Sequence, residues 1–420
     1  MDKFVIRGGK PLNGAINVSG SKNAVLPVMA AALLARGKSV IRNVPNLRDT
    51  RTMAKLLTII GAEVRFEDGV IEIDAAGANN PEAPYELVKT MRASFYVLGP
   101  LTARFGEARI SLPGGCAWGP RPVDLHLKGL EKLGAQIDLT EGYIKTRTSG
   151  LKGSAINLAI SSVGATGNLL MAAVTAKGET TIENAAREPE IVCRINFLNL
   201  MGGDIQGGGT DMLTIQGVDE LQPAEIEVIP DRIEAGTFLV AAAALEGEVT
   251  VDGINPSQLT SVIENLKKAG ANLNVKSNSI IVKGGVPLNA VDVTTAVYPG
   301  YPTDMQAQWI ALMSRANGNC TVTDTVYKDR FTHVPELARL GADVVLKDNA
   351  AIVKGVSKLK GAPVMSTDIR ASASLIIAGL MAEGRTDIHR IYHIDRGYEN
   401  IEQKLRGIGA DITREKGPEV

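Results

Sequence analysis

Cysteine is scarce in this chain of 420 residues: three, at positions 116, 193 and 320, too few and too widely spaced for a disulfide framework or a thiolate metal site. A reducing compartment follows. Aromatic residues make up only 4%, which argues against a stacking platform for single-stranded nucleic acid. Neither sign of charge is in excess; 45 basic and 46 acidic side chains leave a net charge of −1, so no global field would draw nucleic acid or an acidic membrane. Long apolar runs are missing as well. Stretches such as Thr237 to Leu245 fall far short of the ~20 residues that span a bilayer. The opening Met1-Asp2-Lys3-Phe4-Val5 has no apolar core of signal-peptide length. His333, His389 and His393 show no metal-binding pattern, and Gly207-Gly208-Gly209 lacks the Lys-Ser/Thr of a phosphate-cradling loop and reads as a turn. The expectation is a soluble cytoplasmic protein, a monomer or weak homo-oligomer, with no metal, cofactor, nucleic-acid or membrane partner.

What is present is repetition. Leu-x-x-x-Gly-Ala, or a near copy, ends a helix-like stretch at Gly61, Gly134, Gly202, Gly270, Gly341 and Gly409, at intervals of 73, 68, 68, 71 and 68 residues. The chain is therefore about six units of ~70 residues. Each reads as a βαβαββ unit. An alternating strand such as Ala15-Ile16-Asn17-Val18 or Glu225-Ile226-Glu227-Val228 comes first. An apolar helix follows, starting near Lys22, Arg92, Gly164, Arg232, Asp304 or Arg370 and stopped by Gly37, Gly106, Gly178, Gly247, Gly318 or Gly384. A second strand, an amphipathic helix ending in the signature and one or two further strands complete the unit. The first helices are apolar nearly all round, as from Ala24 to Ala35, and should be buried on every side. The last unit runs out of chain after Asp411-Ile412-Thr413-Arg414. Its missing strand is expected at the start, where Phe4 to Leu12 closely matches Ile280 to Leu288; otherwise a sheet edge would stay unpaired. Three units per domain place crossings near Ser21 and Ile229, with residues 22–229 as one domain and 230–420 plus 1–21 as the other. A single continuous solenoid is the alternative, against which stands the length of the repeat.

A helix N-terminus exposes free N–H groups and a partial positive charge, a ready site for anions. Cations stand at several of these starts: Lys22, Arg92, Arg232 and Arg370. A cation there is unfavourable for the helix, and its recurrence points to phosphate or carboxylate binding, for which the planar fork of Arg is well suited. Asp304 puts an acid in the corresponding place, either as a helix cap or, in a cationic pocket, as a general base. The stretch Leu112-Pro113-Gly114-Gly115-Cys116-Ala117-Trp118-Gly119-Pro120-Arg121-Pro122-Val123-Asp124-Leu125-His126 is non-periodic and rich in Pro and Gly, as functional loops are. Cys116 within it is a candidate acid, base or nucleophile, since a thiol near arginines ionises more readily. His126 either contacts ligand or starts a helix. Cys193 and Cys320 lie in helix- and strand-like contexts and read as inert.

Taken in order, these motifs resemble the UDP-N-acetylglucosamine 1-carboxyvinyltransferases, or enolpyruvyl transferases. The resemblance runs from about residue 1 to 417. It rests on Ser19-Gly20-Ser21-Lys22-Asn23-Ala24, Lys89-Thr90-Met91-Arg92-Ala93-Ser94, the Cys116 loop, Ser162-Val163-Gly164-Ala165-Thr166 and Glu188-Pro189-Glu190-Ile191-Val192. It continues through Pro230-Asp231-Arg232-Ile233-Glu234, Pro302 to Gln308, Asp368-Ile369-Arg370-Ala371-Ser372 and Ile391 to Tyr398. It implies a two-domain, inside-out α/β barrel of mixed α/β (α+β) class, three repeats per domain. It implies metal-free transfer of the enolpyruvyl group of phosphoenolpyruvate to the 3-hydroxyl of UDP-N-acetylglucosamine by addition and elimination, the first committed step of peptidoglycan synthesis.

By the same resemblance, Lys22, Arg121 and Arg396 hold the phosphate, Arg330 and Arg370 the carboxylate, and Asn23 the reacting region. Cys116 is the acid for the methylene carbon and the target of fosfomycin, and Asp304 takes the sugar hydroxyl proton. The nucleotide sugar falls to Arg92, Arg121, Pro122, Val123, Asp124, Leu125, Ser162, Val163, Gly164, Asp304 and Val326. Ile160 departs from the family, many members of which carry a lysine there near the diphosphate. Opening and closing of a cleft, with the Cys116 loop, is expected by analogy. The rival readings are a shikimate 3-phosphate enolpyruvyl transferase, which shares the architecture, and a catalytically silent paralogue that binds the UDP-sugar.

Overall fold

The computed structural model describes residues 2–112 and 123–416. Among them, six four-stranded sheets form, one for each glycine-marked repeat. The sheet of Val293–Thr295, Asn319–Asp324, Asp343–Lys347 and Ala350–Lys354 shows the common plan. In space the order is first, second, fourth, third. The first pair is parallel, with Val293 opposite Val322. The others are antiparallel, and Val353 faces Cys320 on one side and Val344 on the other. A parallel pair needs a crossover, and the apolar helix Gln306–Met313 supplies it. The six signature glycines all adopt φ between 89° and 104°, a conformation that side chains with a Cβ rarely take. They end each amphipathic helix with a left-handed turn into the third strand.

The start of the chain completes the last sheet, as expected. Asp2–Arg7 lies between Arg385–His389 and Asp411–Lys416, antiparallel to both, with Phe4 opposite Ile388 and Arg414. Two other strands correct the sequence reading. Leu12–Asn17 does not join the sheet of the helix that follows it; it pairs in parallel with Gly247–Asp252. Glu225–Glu227 pairs in parallel with Lys38–Arg42. The strands preceding the first and fourth apolar helices are thus exchanged, so that every sheet closes within one unit.

Those units are Gly20–Ile229, and Met1–Ser19 with Pro230–Val420. Gly20 and Ser21 belong to the first of them, where the sequence reading had placed residues 1–21 in the other. Ser21 N–H donates to Ile229 O at 2.8 Å. Gly20 lies so close to Asn43 that an added Cβ would stand 1.7 Å from the Asn43 carbonyl oxygen. Each unit has its own apolar core. In one, the helices Arg232–Ala244, Gln306–Met313 and Ile369–Met381 pack on each other and bury Phe238, Trp309, Ile310 and Leu375. In the other, Leu98–Phe105 packs on Val163–Ala173, and Lys22–Ala31 on the 3-10 turn Arg92–Val97. Each large apolar side chain so buried is worth about 1.5–3 kcal/mol. The amphipathic helices present one face inward: Arg48–Ile60 buries Met53, Leu56, Leu57 and Ile60 and exposes Thr58. Among the described residues no helix is long and apolar enough to cross a membrane.

Candidate active site

In the unit that contains Pro230–Val420, three of the expected site residues meet. Asp304 lies in the 3-10 turn Thr303–Met305 that leads into the Gln306–Met313 helix. It does not act as a cap. Its Oδ1 accepts from Arg330 Nη2 at 2.6 Å and its Oδ2 from Arg370 Nη2 at 2.7 Å. Burial alone would push the Asp304 carboxyl up, but Arg370 and then Arg330 hold it well below the usual carboxylate range. The side chain remains 24% exposed and so open to a ligand, whereas Arg370 is only 5% exposed.

Arg370 is aimed by what surrounds it. Asp368 caps its helix, accepting from the backbone N–H groups of Arg370 at 2.7 Å and Ala371 at 3.1 Å. Nη1 of Arg370 donates to Tyr398 Oη at 3.1 Å. That hydroxyl lies 2.8 Å from Thr237 Oγ1 and accepts from Gln308 Nε2 at 3.3 Å. Thr237 and Gln308 sit inside apolar helices, where a buried polar residue is itself a signal that sequence reading passed over. Arg396 ends the 3-10 turn Ile391–Arg396. Gly397, next to it, packs on Ile369, where an added Cβ would come within 2.6 Å. This close approach sets the Arg396 turn against the start of the Arg370 helix. Arg232 likewise follows an acidic cap, Asp231, which accepts from Ile233 and Glu234 N–H. At each of these two starts the capping carboxylate already accepts from two of the leading N–H groups, which leaves the arginine side chain as the group able to meet an anion.

The Gly20–Ile229 unit holds Lys22, Asn23, Arg92, Val123, Asp124, Leu125, Ser162, Val163 and Gly164. Ser21 caps the Lys22–Ala31 helix through Ala24 N–H at 3.3 Å. Lys22 Nζ lies 3.1 Å from the buried carboxylate of Asp49, which the sequence analysis had not singled out. An acid in the first turn of an amphipathic helix reads as ordinary dipole stabilisation, which hides it. Arg92 opens a 3-10 turn rather than an α-helix. His126 lies in the first turn of the helix Asp124–Lys132, as one of its two readings had it, and is buried. Its Nδ1 is 3.0 Å from Asn168 Nδ2, an amide donor, so the ring proton sits on Nε2. Burial, and then Arg92, push its pKa down to about 3, and the ring is neutral at pH 7. Gly164 lies flat against this ring; an added Cβ would come 3.1 Å from Nε2. Asp124, Leu125, Val163 and Gly164 are thus brought to one place by the packing of two helices.

Cys193 and Cys320 are buried, and burial raises both thiols, Cys320 to about 12. Neither is fitted to proton transfer. Cys116, Arg121 and Pro122 lie outside the described residues. Val326 is 46% exposed and Ile160 62% exposed, so both side chains are available to a ligand.

A family model for EPSP synthase (3-phosphoshikimate 1-carboxyvinyltransferase) matches residues 6–405. The chain belongs to the EPSP synthase family. As a member it is a transferase. A UDP-N-acetylglucosamine 1-carboxyvinyltransferase of Chloroherpeton thalassium is 56% identical over 418 residues, covering 99% of this chain and 97% of the relative. One from Myxococcus xanthus is 53% identical over 419 residues, covering 99% and 100%. Among solved structures, the enolpyruvyl transferase NikO from Streptomyces tendae has the same fold, with a TM-score of 0.90 at 26% identity over 99% of both chains. The two-domain mixed α/β architecture of the family is the one described above.

Proposed function

We propose that this protein transfers the enolpyruvyl group of phosphoenolpyruvate to the 3-hydroxyl of UDP-N-acetylglucosamine and releases phosphate. The observation that supports it most directly is the Asp304 carboxylate bridged by Arg330 and Arg370. Two guanidinium groups already hold one carboxylate in a site still open to solvent, which is the geometry that a carboxylate substrate requires. Relatives named for this reaction are more than half identical over nearly the whole chain.

In this reading Arg330 and Arg370 bind the substrate carboxylate, and Lys22, Arg121 and Arg396 the phosphate, with Asn23 at the reacting region. The sugar oxygen adds to C2 of phosphoenolpyruvate while Cys116 protonates the methylene carbon. Asp304 accepts the proton of the sugar hydroxyl. The tetrahedral adduct then loses phosphate as a proton leaves the new methyl group, which restores the double bond. Positioned acid and base groups contribute about 10²–10⁴-fold each, and the fixed cations offset the charge that develops. The nucleotide sugar is assigned to Arg92, Arg121, Pro122, Val123, Asp124, Leu125, Ser162, Val163, Gly164, Asp304 and Val326. The setting is cytoplasmic peptidoglycan synthesis, with its consequences for cell shape and division, and fosfomycin is the matching inhibitor.

Phosphate release from phosphoenolpyruvate, measured with each acceptor, tests the assignment. Turnover is expected with UDP-N-acetylglucosamine. Turnover with shikimate 3-phosphate alone, or binding of the UDP-sugar with no turnover, would overturn it.

A further inference from the structure

We propose that Asp324 is a positioning residue that sets the contacts for both substrates, acting through Thr303 on one side and through the Val326 turn on the other. The inference rests on the reading above. Asp324 ends the strand Asn319–Asp324 and is fully buried. A buried carboxylate is costly unless its lone pairs are filled. Here the donors are two hydroxyls and two backbone N–H groups. Oδ2 accepts from Thr303 Oγ1 at 2.7 Å. Oδ1 accepts from Thr295 Oγ1 at 2.7 Å, from Val326 N at 3.0 Å and from Tyr327 N at 2.8 Å.

The Thr303 hydroxyl gives its one proton to Asp324, so it faces Arg330 as an acceptor. Arg330 Nη1 donates to it at 3.0 Å. The other terminal nitrogen of the same guanidinium holds Asp304. Asp324, Thr303, Arg330 and Asp304 therefore form one chain of directed bonds. Donation to a carboxylate strengthens the hydroxyl as an acceptor, so the negative charge of Asp324 is felt at Arg330. Without it the Thr303 hydroxyl is free to rotate, and one prong of the Arg330 fork loses its anchor.

On the other side, Asp324 occupies the N–H groups of Val326 and Tyr327. The turn is tied further by Thr325, whose N–H donates to Thr295 Oγ1 at 3.1 Å, and by Asn349 Nδ2, which donates to Asp324 O at 3.0 Å. With its N–H taken, Val326 offers a nucleotide sugar its carbonyl oxygen and its exposed side chain, on a turn held by the buried Asp324 carboxylate.

The two arms are separable by kinetics. Phosphate release is measured with each substrate varied, on the full chain, for Thr303→Val, Thr303→Ser, Asp324→Asn and the double variant Thr303→Val/Asp324→Asn. Thr303→Val should raise KM for phosphoenolpyruvate about tenfold and leave KM for UDP-N-acetylglucosamine within about twofold; Thr303→Ser, which keeps the hydroxyl, should restore it. Asp324→Asn should raise both KM values about tenfold. In the double variant KM for phosphoenolpyruvate should rise no further than in either single one, because both cut the same link. Asn349→Ala, which loosens the same turn without touching the carboxylate, should lower the melting temperature without this split. Unchanged KM values in Asp324→Asn, or multiplying losses in the double variant, would overturn the inference; should Asp324→Asn fail to fold, an unmoved KM for phosphoenolpyruvate in Thr303→Val does so instead. A wild-type enzyme with no turnover on these substrates would sink the functional reading itself, and the inference with it.

Discussion

On the proposed reading Arg330 and Arg370 bind the carboxylate of phosphoenolpyruvate, and because Asp304 already fills them the substrate has a competitor built into the chain. Replacing Asp304 by Asn removes the charge and keeps the shape. Two charge-assisted contacts, at 2.6 and 2.7 Å, are lost or weakened, and two arginines are left facing each other. Removing one partner of a buried ion pair costs about 3–5 kcal/mol, and the partial exposure of Asp304 puts this case at about 3 kcal/mol. For a unit of this size that is a fall in melting temperature of roughly 6–12 °C. The same energy works for the incoming anion. In the wild type, binding of the substrate carboxylate must first displace Asp304; in the variant it fills a vacant cationic fork. About 1.4 kcal/mol of that difference already means tenfold tighter binding. We expect Asp304→Asn to bind phosphoenolpyruvate at least about tenfold more tightly by titration calorimetry, and to regain about 2.7 kcal/mol of stability at a hundredfold excess over Kd. Turnover should fall by about 10²–10⁴, as the base is gone. Weaker or equal binding with an unchanged melting temperature would refute the competition.

Three further outcomes are expected, two from the structure and one from the proposed function. His126 is buried neutral with a pKa pushed down to about 3, against 6.5 when unfolded, so between pH 6.5 and 5 the unfolded chain takes up a proton that the folded one refuses and stability falls with pH. Relative to His126→Gln, the wild type should lose roughly 1.5 kcal/mol in all as pH falls across that window in urea titrations, and parallel profiles would contradict the burial argument. Gly20→Ala would drive a methyl group into the Asn43 carbonyl and should abolish soluble expression or lower the melting temperature by at least roughly 6–12 °C, at ~3 kcal/mol or more; a variant that melts with the wild type would show that the backbone yields there. Fosfomycin, with UDP-N-acetylglucosamine present, should add one mass increment at Cys116, read by peptide mapping. Label on Cys193 or Cys320 instead would contradict the role given to the loop thiol.

The repeat and its stops were legible because glycine has a specific task at each of them: a left-handed turn that other residues resist. The closing strand at Asp2–Arg7 was legible through its likeness to Ile280–Lys283. The exchange of Leu12–Asn17 and Glu225–Glu227 was not. Alternation marks a strand but says nothing about its partner, and nearest-neighbour pairing is the default that these two strands break. Within the site, Asp304, Arg330 and Arg370 were named from motifs, yet their mutual bonding was not, since it joins two successive repeats across 66 residues of chain. Asp49 and Asp324 escaped for a related reason. One sits in a helix first turn and the other at a strand end, places where an acid is unremarkable until its partners are seen. Asn168, Thr237 and Gln308 were visible in principle, as polar residues in otherwise apolar helices.

The exchange of strands bears on how the molecule is made. The Gly20–Ile229 unit draws all its strands from one continuous stretch and can close as soon as Ile229 has left the ribosome. Asp2–Arg7 pairs with Asp411–Lys416, about 400 residues further along the chain, and so leaves the ribosome well before its neighbour. At 5–20 residues per second that wait is roughly 20–80 s, during which an apolar strand stays without its neighbours. The Gly20–Ile229 unit can therefore be complete while the strand Asp2–Arg7 still waits for its partner.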